Sequence, residues 1–185
     1  MGIRQNVTTA IVAVGLTAST FFVPALSTDE TTGGKMSTAA TQDIINSMRE
    51  RGSFHKMLDG MELAFALDNK LKGKGPFTVF ACEDKGWGKL NQADQDTLFN
   101  NKKKMAQVFS YEIVEGQALD SHALEALSSI KSMEGHEIKL SKRNDSGKIK
   151  GSLYVDNARV KTADIHCTNG ILYITEVPIM PQLAQ

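Results

Sequence analysis

The strongest apolar pattern of this chain is a pair of strand-like runs, GPFTVFAC from Gly75 and CTNGILYITEVPIMP from Cys167. The first run follows a Gly-Pro break and is rich in β-branched and aromatic residues, which is typical of a buried strand. The second run opens with the turn signal Asn169-Gly170 and is closed by two prolines. We therefore predict two buried strands at opposite ends of one domain.

Before the first run, apolar residues recur at helical spacing. Ile44, Ile45 and Met48 predict a short helix that begins near Thr41. A second helix, capped by Ser53, is predicted to stop at Lys72 and Gly73, with a break at Gly60. Its apolar stripe consists of Phe54, Met57, Leu58, Met61 and Phe65. A stripe of Met and Phe can line a cofactor site, but far more often it is core.

After the first run the pattern is helical as far as Tyr111 and then becomes β-rich. Ser121 is predicted to cap a short helix. Ile138 and Leu140 alternate with polar residues, as on a half-buried strand, and Asp156-Asn157 is typical of a two-residue hairpin. Short strands joined by tight turns favour an antiparallel sheet with helices beside it, which is an α+β fold.

Length and charge exclude some classes of function. The 185 residues suit one domain, with little room for a second core. Acidic and basic side chains balance at 21 each, which argues against a nucleic-acid partner held by phosphate contacts.

The N-terminus has the composition of a targeting segment. Arg4 supplies a positive charge, an uncharged run extends from Val7 to Leu26, and Ala25 and Ser27 are small residues before a cleavage point. We predict a signal peptide over residues 1–27, with an uncleaved N-terminal anchor as the alternative. Residues 28–40 are predicted to be a flexible linker, and residues 41–182 the folded domain. No membrane span is expected after cleavage.

Together the two apolar runs resemble the two sequence boxes of the fasciclin-like domain family. The family pattern in the second box is DI-x-x-(S/T)-NG-x-(I/L)-x-x-I-(D/E)-x-V-(L/I)-x-P. The residues in register with it are Asp164, Ile165, Thr168, Asn169, Gly170, Glu176, Ile179 and Pro181, and Ile174 and Val177 each lie one position before the pattern's Ile and Val. The resemblance implies a mixed β-sandwich or wedge with several short helices packed on one side, and it places the two boxes next to each other.

The first box departs from the family pattern TVFAP-(T/S)-(D/N)-x-A-F. Cys82 replaces Pro, Glu83 replaces Thr or Ser, Gly86 replaces Ala and Trp87 replaces Phe, whereas Asp84 is retained. Trp87 either fills the family's buried aromatic position or forms an exposed platform for a ligand. It is therefore one of three interaction candidates.

The segment FSYEIVEG resembles the family's central motif, which in animal members is implicated in integrin binding. Tyr111 and Gly116 match that motif, whereas Glu112 replaces its histidine. Tyr111 and Glu112 are the other two interaction candidates. The replacement argues against an integrin-type activity, and Tyr111 also fits a core position with its hydroxyl bonded.

The only two cysteines, Cys82 and Cys167, end the first box and begin the second. Export would place them in an oxidising compartment, where paired thiols are commonly bridged. If the boxes are neighbours, as the resemblance implies, these residues are a disulfide candidate. The alternative is a pair of buried free thiols.

No catalytic, cofactor or metal site is predicted. The four histidines occupy unlike segments. Asp164 and His166 would share a face of a strand, but they lack a third metal ligand. Cys167 would point to the other face, so it lacks the spacing of a Cys-His nucleophilic pair. The resemblance implies a secreted, non-enzymatic module for cell adhesion or extracellular interaction. The expected location is secreted, periplasmic or on the cell surface. Its expected partner is a protein or glycan of the cell surface or matrix. The alternative function is that of a carrier for a small apolar ligand such as a carotenoid or lipid.

Overall fold

The computed structural model describes residues 40–144 and 151–181. The predicted signal peptide, and all of the predicted linker except Ala40, lie outside the described residues. The helices are α1 (Ile44–Arg51), α2 (His55–Leu63), α3 (Leu67–Leu71), α4 (Asp84–Trp87), α5 (Gln92–Phe99), α6 (Lys102–Tyr111) and α7 (Ser121–Glu125). The strands are β1 (Phe77–Cys82), β2 (Ile113–Glu115), β3 (Ser129–Lys131), β4 (Glu137–Arg143), β5 (Ser152–Val155), β6 (Ala158–Cys167) and β7 (Gly170–Thr175).

The two predicted strands form neighbouring strands of one sheet. The strand order is β2-β1-β7-β6-β5-β4-β3, and β1 pairs with β7 in parallel from Phe77 opposite Gly170 to Cys82 opposite Thr175. The other strand pairs of this sheet are antiparallel. The predicted α+β architecture and the adjacency of the two boxes are therefore confirmed.

Both faces of β1 and β7 are covered, which explains why their sequences are continuously apolar. Side chains of a strand alternate between faces, so Val79 and Leu172 pack against the helices, whereas Phe80 and Tyr173 pack on the opposite side. The Phe80 and Tyr173 rings are 5.4 Å apart between centroids. The fold thus has a helix-covered core and a second core beneath β3, β4 and β5.

The first two helices begin where tertiary contacts supply a cap. The side chain of Asp43, not of Thr41, caps α1 by accepting from the backbone N–H of Asn46 at 2.8 Å. Ser53 does not cap α2. Instead the carboxylate of Asp84 accepts from the backbone N–H groups of His55 and Lys56, at 3.2 and 2.9 Å. The retained Asp84 of the first box therefore fixes a helix about 30 residues earlier in the chain.

The predicted break at Gly60 is wrong. Gly60 lies within α2, where an added Cβ would approach a ring carbon of Phe109 to 2.4 Å, so glycine permits close packing of α2 on α6. The helix instead ends before Phe65 and Ala66, which have positive φ angles of 59° and 52°. Phe65 is 76% exposed, although its spacing predicted a core position.

The remainder of the Met and Phe stripe is core, as predicted. Met57, Met61 and Phe54 are fully or almost fully buried together with Trp87. Trp87 makes edge-on contacts with Phe99 and Phe109, each with centroids 5.6 Å apart.

The predicted features of the β-rich half are also present. Asp156-Asn157 connects β5 to β6, with Asp156 at a φ of 52°. The short helix α7 is capped by Asp120, one residue before the predicted Ser121, through a 2.7 Å bond from the N–H of Ala123. Strand β6 has irregular register between Val160 and Ile165.

Cys82 and Gly86 depart from the family pattern at positions that are in contact. An added Cβ on Gly86 would lie 2.3 Å from Cys82 Sγ and 2.7 Å from the carbonyl oxygen of Glu176. The sulfur and the Glu176 carbonyl oxygen therefore both occupy space that an alanine at position 86 would need, and positions 82 and 86 are sterically coupled.

We expect Gly86→Ala to lower the free energy of unfolding by about 1–3 kcal/mol, because its methyl group overpacks this contact. In Cys82→Ala/Gly86→Ala the sulfur is removed, so the double variant should be less destabilised than the sum of the singles, by about 0.5–3 kcal/mol. Urea unfolding followed by fluorescence of the single tryptophan measures all four proteins of the cycle. Strict additivity would show that the two positions are independent.

Candidate functional site

Tyr111 joins the two ends of the sheet. It is the last residue of α6, immediately before the edge strand β2, and its hydroxyl proton is shared between Asp156 Oδ2 at 2.9 Å and the carbonyl oxygen of Glu137 at 3.0 Å. The same corner is held by Met133 N–H to Ile113 O at 2.7 Å. Burial and the carboxylate of Asp156 raise the pKa of Tyr111. Tyr111 thus ties the start of β2 to β4 and to the β5–β6 hairpin.

An open cleft of about 530 Å³ lies beside this corner, and we name it the Tyr111 cleft. Its lining is mostly polar and consists of Tyr111, Ser128, His136, Glu137, Lys139, Leu140, Ser141, Arg143, Asp156, Asn157 and Met180. The guanidinium carbon of Arg143 lies 4.4 Å from the centroid of the Tyr154 ring. Lys139 forms no ion pair with any residue in the described ranges. The cleft therefore offers cationic groups to a ligand from solvent.

Asp156 positions the wall of this cleft. Its Oδ1 accepts from the backbone N–H of Lys139 at 2.9 Å, and its own N–H donates to the carbonyl oxygen of Lys139 at 2.7 Å. Because Oδ2 accepts from Tyr111, one carboxylate connects the hairpin, β4 and α6. Sequence reasoning identified Asp156 only as a turn residue, since nothing local to a turn shows which distant hydroxyl its side chain will meet.

Glu112 is a buried acid next to this corner. Its side chain is fully buried, and neither carboxyl oxygen has a hydrogen-bond partner among the described residues. Burial raises the pKa of Glu112 well above its ordinary value, and the backbone of Ile179 lowers it by less. We therefore expect the carboxyl group in the folded protein to keep its proton to a higher pH than an ordinary glutamate does.

The three interaction candidates from the sequence all lie in the interior. Glu112 and Trp87 are 0% exposed and Tyr111 is 4% exposed. The indole N–H of Trp87 donates to the carbonyl oxygen of Cys82 at 3.2 Å, so the buried-aromatic alternative is the one observed. None of the three offers its side chain to a partner; only Tyr111 borders a cleft.

The proposed disulfide is not formed. Cys82 and Cys167 are both free and buried. Cys82 lies opposite Thr175, whereas Cys167 lies opposite Gly170, which is level with Phe77. The two cysteines are thus about five residues apart along the strands, roughly 16 Å at 3.3 Å per residue, and a bridge needs Cα atoms within about 7 Å. The boxes are neighbours, but the cysteines occupy opposite ends of them.

Each thiol instead has a local environment of its own. Cys167 Sγ donates to the hydroxyl of Ser47 at 3.3 Å, and burial raises the pKa of Cys167. Burial also raises the pKa of Cys82. Both are therefore poor nucleophiles, because the thiolate is the reactive form.

Asp164, His166 and Cys167 do not form a catalytic group. Asp164 has a positive φ of 56°, and its carboxylate accepts from Ser121 N–H at 2.7 Å and from the Tyr173 hydroxyl at 2.9 Å. His166 is exposed. The irregular register of β6 thus turns Asp164 into the protein and away from its neighbours.

Within residues 40–144 and 151–181, no group of three or more His, Cys, Asp or Glu side chains could hold a metal ion. In those same ranges, no helix has the length and apolar character that crossing a bilayer requires.

Comparison with known proteins gives a consistent result. The family described as "Fasciclin domain" matches residues 52–181. Stabilin-1 of Mus musculus is 31% identical over 113 residues, which cover 60% of this chain and 4% of that protein. Transforming growth factor-beta-induced protein ig-h3 of Sus scrofa is 24% identical over 147 residues, covering 80% of this chain and 20% of that protein.

A relative from Synechocystis matches over more of its own length. This uncharacterised protein is 32% identical over 110 residues, which cover 60% of this chain and 77% of the relative. Among solved structures, a FAS1 domain pair from the insect cell adhesion molecule fasciclin I superimposes with a TM-score of 0.60 at 14% identity. That match covers 77% of this chain and 52% of the solved one, and it shows the same fold.

We expect Tyr111→Phe to lower the free energy of unfolding by about 1–2 kcal/mol, because two partly buried acceptors lose their shared donor. The loss should be local. Hydrogen exchange should accelerate at the amides of Met133 and Glu134, which bond to Ile113 and Ser110 across the corner. Unchanged exchange at these amides, measured by NMR, would contradict the role of Tyr111 in closing the sheet.

We expect stability to fall with rising pH because of Glu112. Its folded-state pKa is raised, so above its unfolded pKa of about 4.5 the folded chain retains a proton that the unfolded chain releases. Glu112→Gln removes this dependence. The free energy of unfolding of Glu112→Gln minus that of the parent should increase from pH 5 to pH 8. The increase should be at most about 1.4 kcal/mol per pH unit.

Urea titrations at several pH values measure the effect of Glu112→Gln. The matched control is Glu115→Gln, since Glu115 is an exposed carboxylate that pairs with Lys70 at 2.8 Å. A difference between parent and Glu112→Gln that does not change with pH would show that Glu112 is ionised in the folded protein.

Proposed function

This chain belongs to the fasciclin domain family, and from that premise we propose that it is an exported, non-enzymatic adhesion or interaction module. We place it at the cell surface, in the periplasm or in the surrounding matrix. The name of the structural neighbour supports adhesion, because that neighbour is a cell adhesion molecule. The chain spans only 4% of stabilin-1 and 20% of ig-h3, so what those whole proteins do is not transferred to it.

The observation that carries the proposal is the open Tyr111 cleft, most of whose lining residues carry polar groups. The cleft is backed by Tyr111 and Asp156, which are fixed to each other, and it presents Lys139 and Arg143 to solvent. Such a surface suits a carboxylate-bearing protein loop or an acidic glycan. We therefore propose a protein or glycan of the cell surface or matrix as the partner.

The state of the reactive side chains supports a non-enzymatic role. Both thiols are buried with raised pKa values, and the Asp164 carboxylate is occupied by the Ser121 N–H and the Tyr173 hydroxyl. In this arrangement the polar groups hold secondary structure elements together. Interaction through exposed loops and clefts is the function that such a scaffold supports.

The carrier alternative receives no specific support. It depends on an adaptable groove of Met and Phe, and Met57, Met61 and Phe54 are packed in the helix-covered core. The clefts of the described residues have mixed polar and apolar linings. The proposal accordingly includes no cofactor and no resident small ligand.

We expect the fluorescently labelled full chain to bind intact cells of its source in a saturable manner, with affinity that decreases as salt increases. Lys139→Glu should weaken this binding about tenfold, because it places a carboxylate in the cationic part of the Tyr111 cleft. Flow cytometry at low and physiological ionic strength measures the affinity.

Lys103→Glu is the matched control. It makes the same charge change on an exposed face of α6 that does not line the cleft, so it should leave binding unaltered. Equal loss in both variants would show a non-specific charge effect. Absence of any saturable binding to cells or to their matrix would refute the proposed function.

A further inference from the structure

The two edges of the seven-stranded sheet face each other across a gap that we name the seam. One side of the seam is β2 with the residues that follow it, 113–117, and the other side is β3 with its flanks, 127–133. Edge strands carry backbone donors and acceptors that no neighbouring strand of their own sheet uses. The direction of those groups follows from the hydrogen bonds on the paired side.

On β2, alternate residues bond to β1. Phe80 N–H donates to Glu112 O and Gly116 N–H donates to Pro76 O, both at 2.9 Å. In an antiparallel pair the bonded residues alternate, so Val114 also points to β1 and Glu115 points away from it. The N–H and C=O of Glu115 therefore face the seam.

On β3 the same reasoning applies to β4. Leu140 N–H donates to Ser128 O at 2.8 Å, and Ser132 N–H donates to His136 O at 2.9 Å. Even-numbered residues of this segment thus bond to β4, and Ser129 and Lys131 direct their N–H and C=O groups into the seam. Among the described residues, the backbone groups of Glu115, Ser129 and Lys131 have no hydrogen-bond partner on the seam side.

The seam is closed at one end and open at the other. Met133 N–H reaches Ile113 O at 2.7 Å, which is the direct contact between the two edges. From there the edges separate, because Gln117 is held towards β1 through its carbonyl, which accepts from Thr78 Oγ1 at 2.9 Å. The open part is a cleft of about 600 Å³.

The side chains of the seam define what would fit it. Its apolar lining is Val114, Leu127, Ile130 and Met133, and Leu127 is 42% exposed. On the outer surface, Lys131 is exposed and has no ion pair among the described residues, whereas Glu115 is already paired with Lys70. An occupant therefore meets an apolar floor and one available positive charge.

We propose that the seam is a docking site for an extended peptide segment of a partner protein, which adds as a short strand between β2 and β3. Outward-facing N–H and C=O groups of alternate residues on both sides match an extended backbone. The segment carries apolar side chains towards Leu127 and an acidic side chain towards Lys131. This inference rests on the proposed function and goes beyond it, because it adds a second binding surface that is distinct from the Tyr111 cleft.

Short strands and charged residues are also the means by which proteins protect their edges from unwanted pairing. Here the same features make the site selective. Each strand has three residues, so only a short segment can pair with them. An apolar side chain of that segment can cover the exposed Leu127.

The test uses the full chain and the peptide acetyl-Thr-Val-Asp-Val-Thr-amide as the probe. On saturation, NMR should show at least tenfold slower hydrogen exchange at the amides of Glu115, Ser129 and Lys131, with the amides of β7 unaltered. The same peptide with N-methyl groups on both valines should bind at least tenfold more weakly, because it lacks the backbone donors for one edge.

Variants at one position separate backbone from charge. Lys131→Pro removes an N–H that faces the seam and not β4, and it should weaken binding of the peptide at least tenfold. Lys131→Thr keeps that N–H and should weaken binding only a few-fold, through loss of the charge. An unaltered urea midpoint for each variant establishes that it is folded.

Three results would overturn the proposal: unchanged exchange at the three amides with millimolar peptide, equal binding of the N-methylated peptide, or a chain dimer that Lys131→Pro abolishes. The last result would assign the seam to a second copy of this chain. Cell binding distinguishes this proposal from the proposed function. Peptide binding without cell binding refutes the adhesion role alone, and peptide binding undiminished in Lys131→Pro, with cell binding intact, refutes the seam alone.

Discussion

The side chain of Asn169 is the constraint on which the rest of the fold depends. Its Oδ1 accepts from the backbone N–H of Ile44 at 3.0 Å, and its Nδ2 donates to the carbonyl oxygens of Leu71 and Gly73 at 2.5 and 3.0 Å. The backbone carbonyl oxygen of Asn169 accepts from the N–H of Phe77 at 3.0 Å. One buried amide therefore fixes the start of α1, the end of α3 and the start of β1. Leaving such buried groups unpaired costs about 1–3 kcal/mol each.

The parallel pairing of β1 with β7 follows from this clamp, and it divides the interior into two cores. Parallel strands are usually buried on both faces, and here helices cover one face while β3, β4 and β5 cover the other. The sequence boxes that identify the family are consequently structural. Their aromatic, thiol and carboxylate groups are used within the protein, and a partner can reach only the loops, the clefts and the edges of the sheet.

The corner at Tyr111 links this architecture to the surface. Tyr111 and Asp156 hold the two ends of the sheet together at one side, and at the other side Glu115 and Lys131 direct backbone groups into the open seam. A sheet that closed completely would have no edges to offer. Partial closure therefore gives a rigid scaffold and an accessible backbone at the same time.

Elements whose cause is local could be predicted from the amino-acid sequence alone. The apolar runs of β1 and β7, the hairpin at Asp156-Asn157 and the α+β class follow from side-chain period and turn chemistry, and the family follows from residues in register. The sequence also suggested that Tyr111 and Trp87 have core roles, and it correctly placed the two boxes next to each other through the resemblance.

Contacts between groups that are distant in the chain could not be predicted in this way. Asp84, not Ser53, caps α2, and Cys82 and Cys167 lie at opposite ends of neighbouring strands, because the register of a sheet is set by packing over the whole core and not by a residue's neighbours in the chain. The burial of Glu112 and the open seam between β2 and β3 have the same origin. Local pattern fixes which segments are strands and helices, whereas exposure, pKa and available backbone groups depend on which surfaces remain uncovered after the elements have packed.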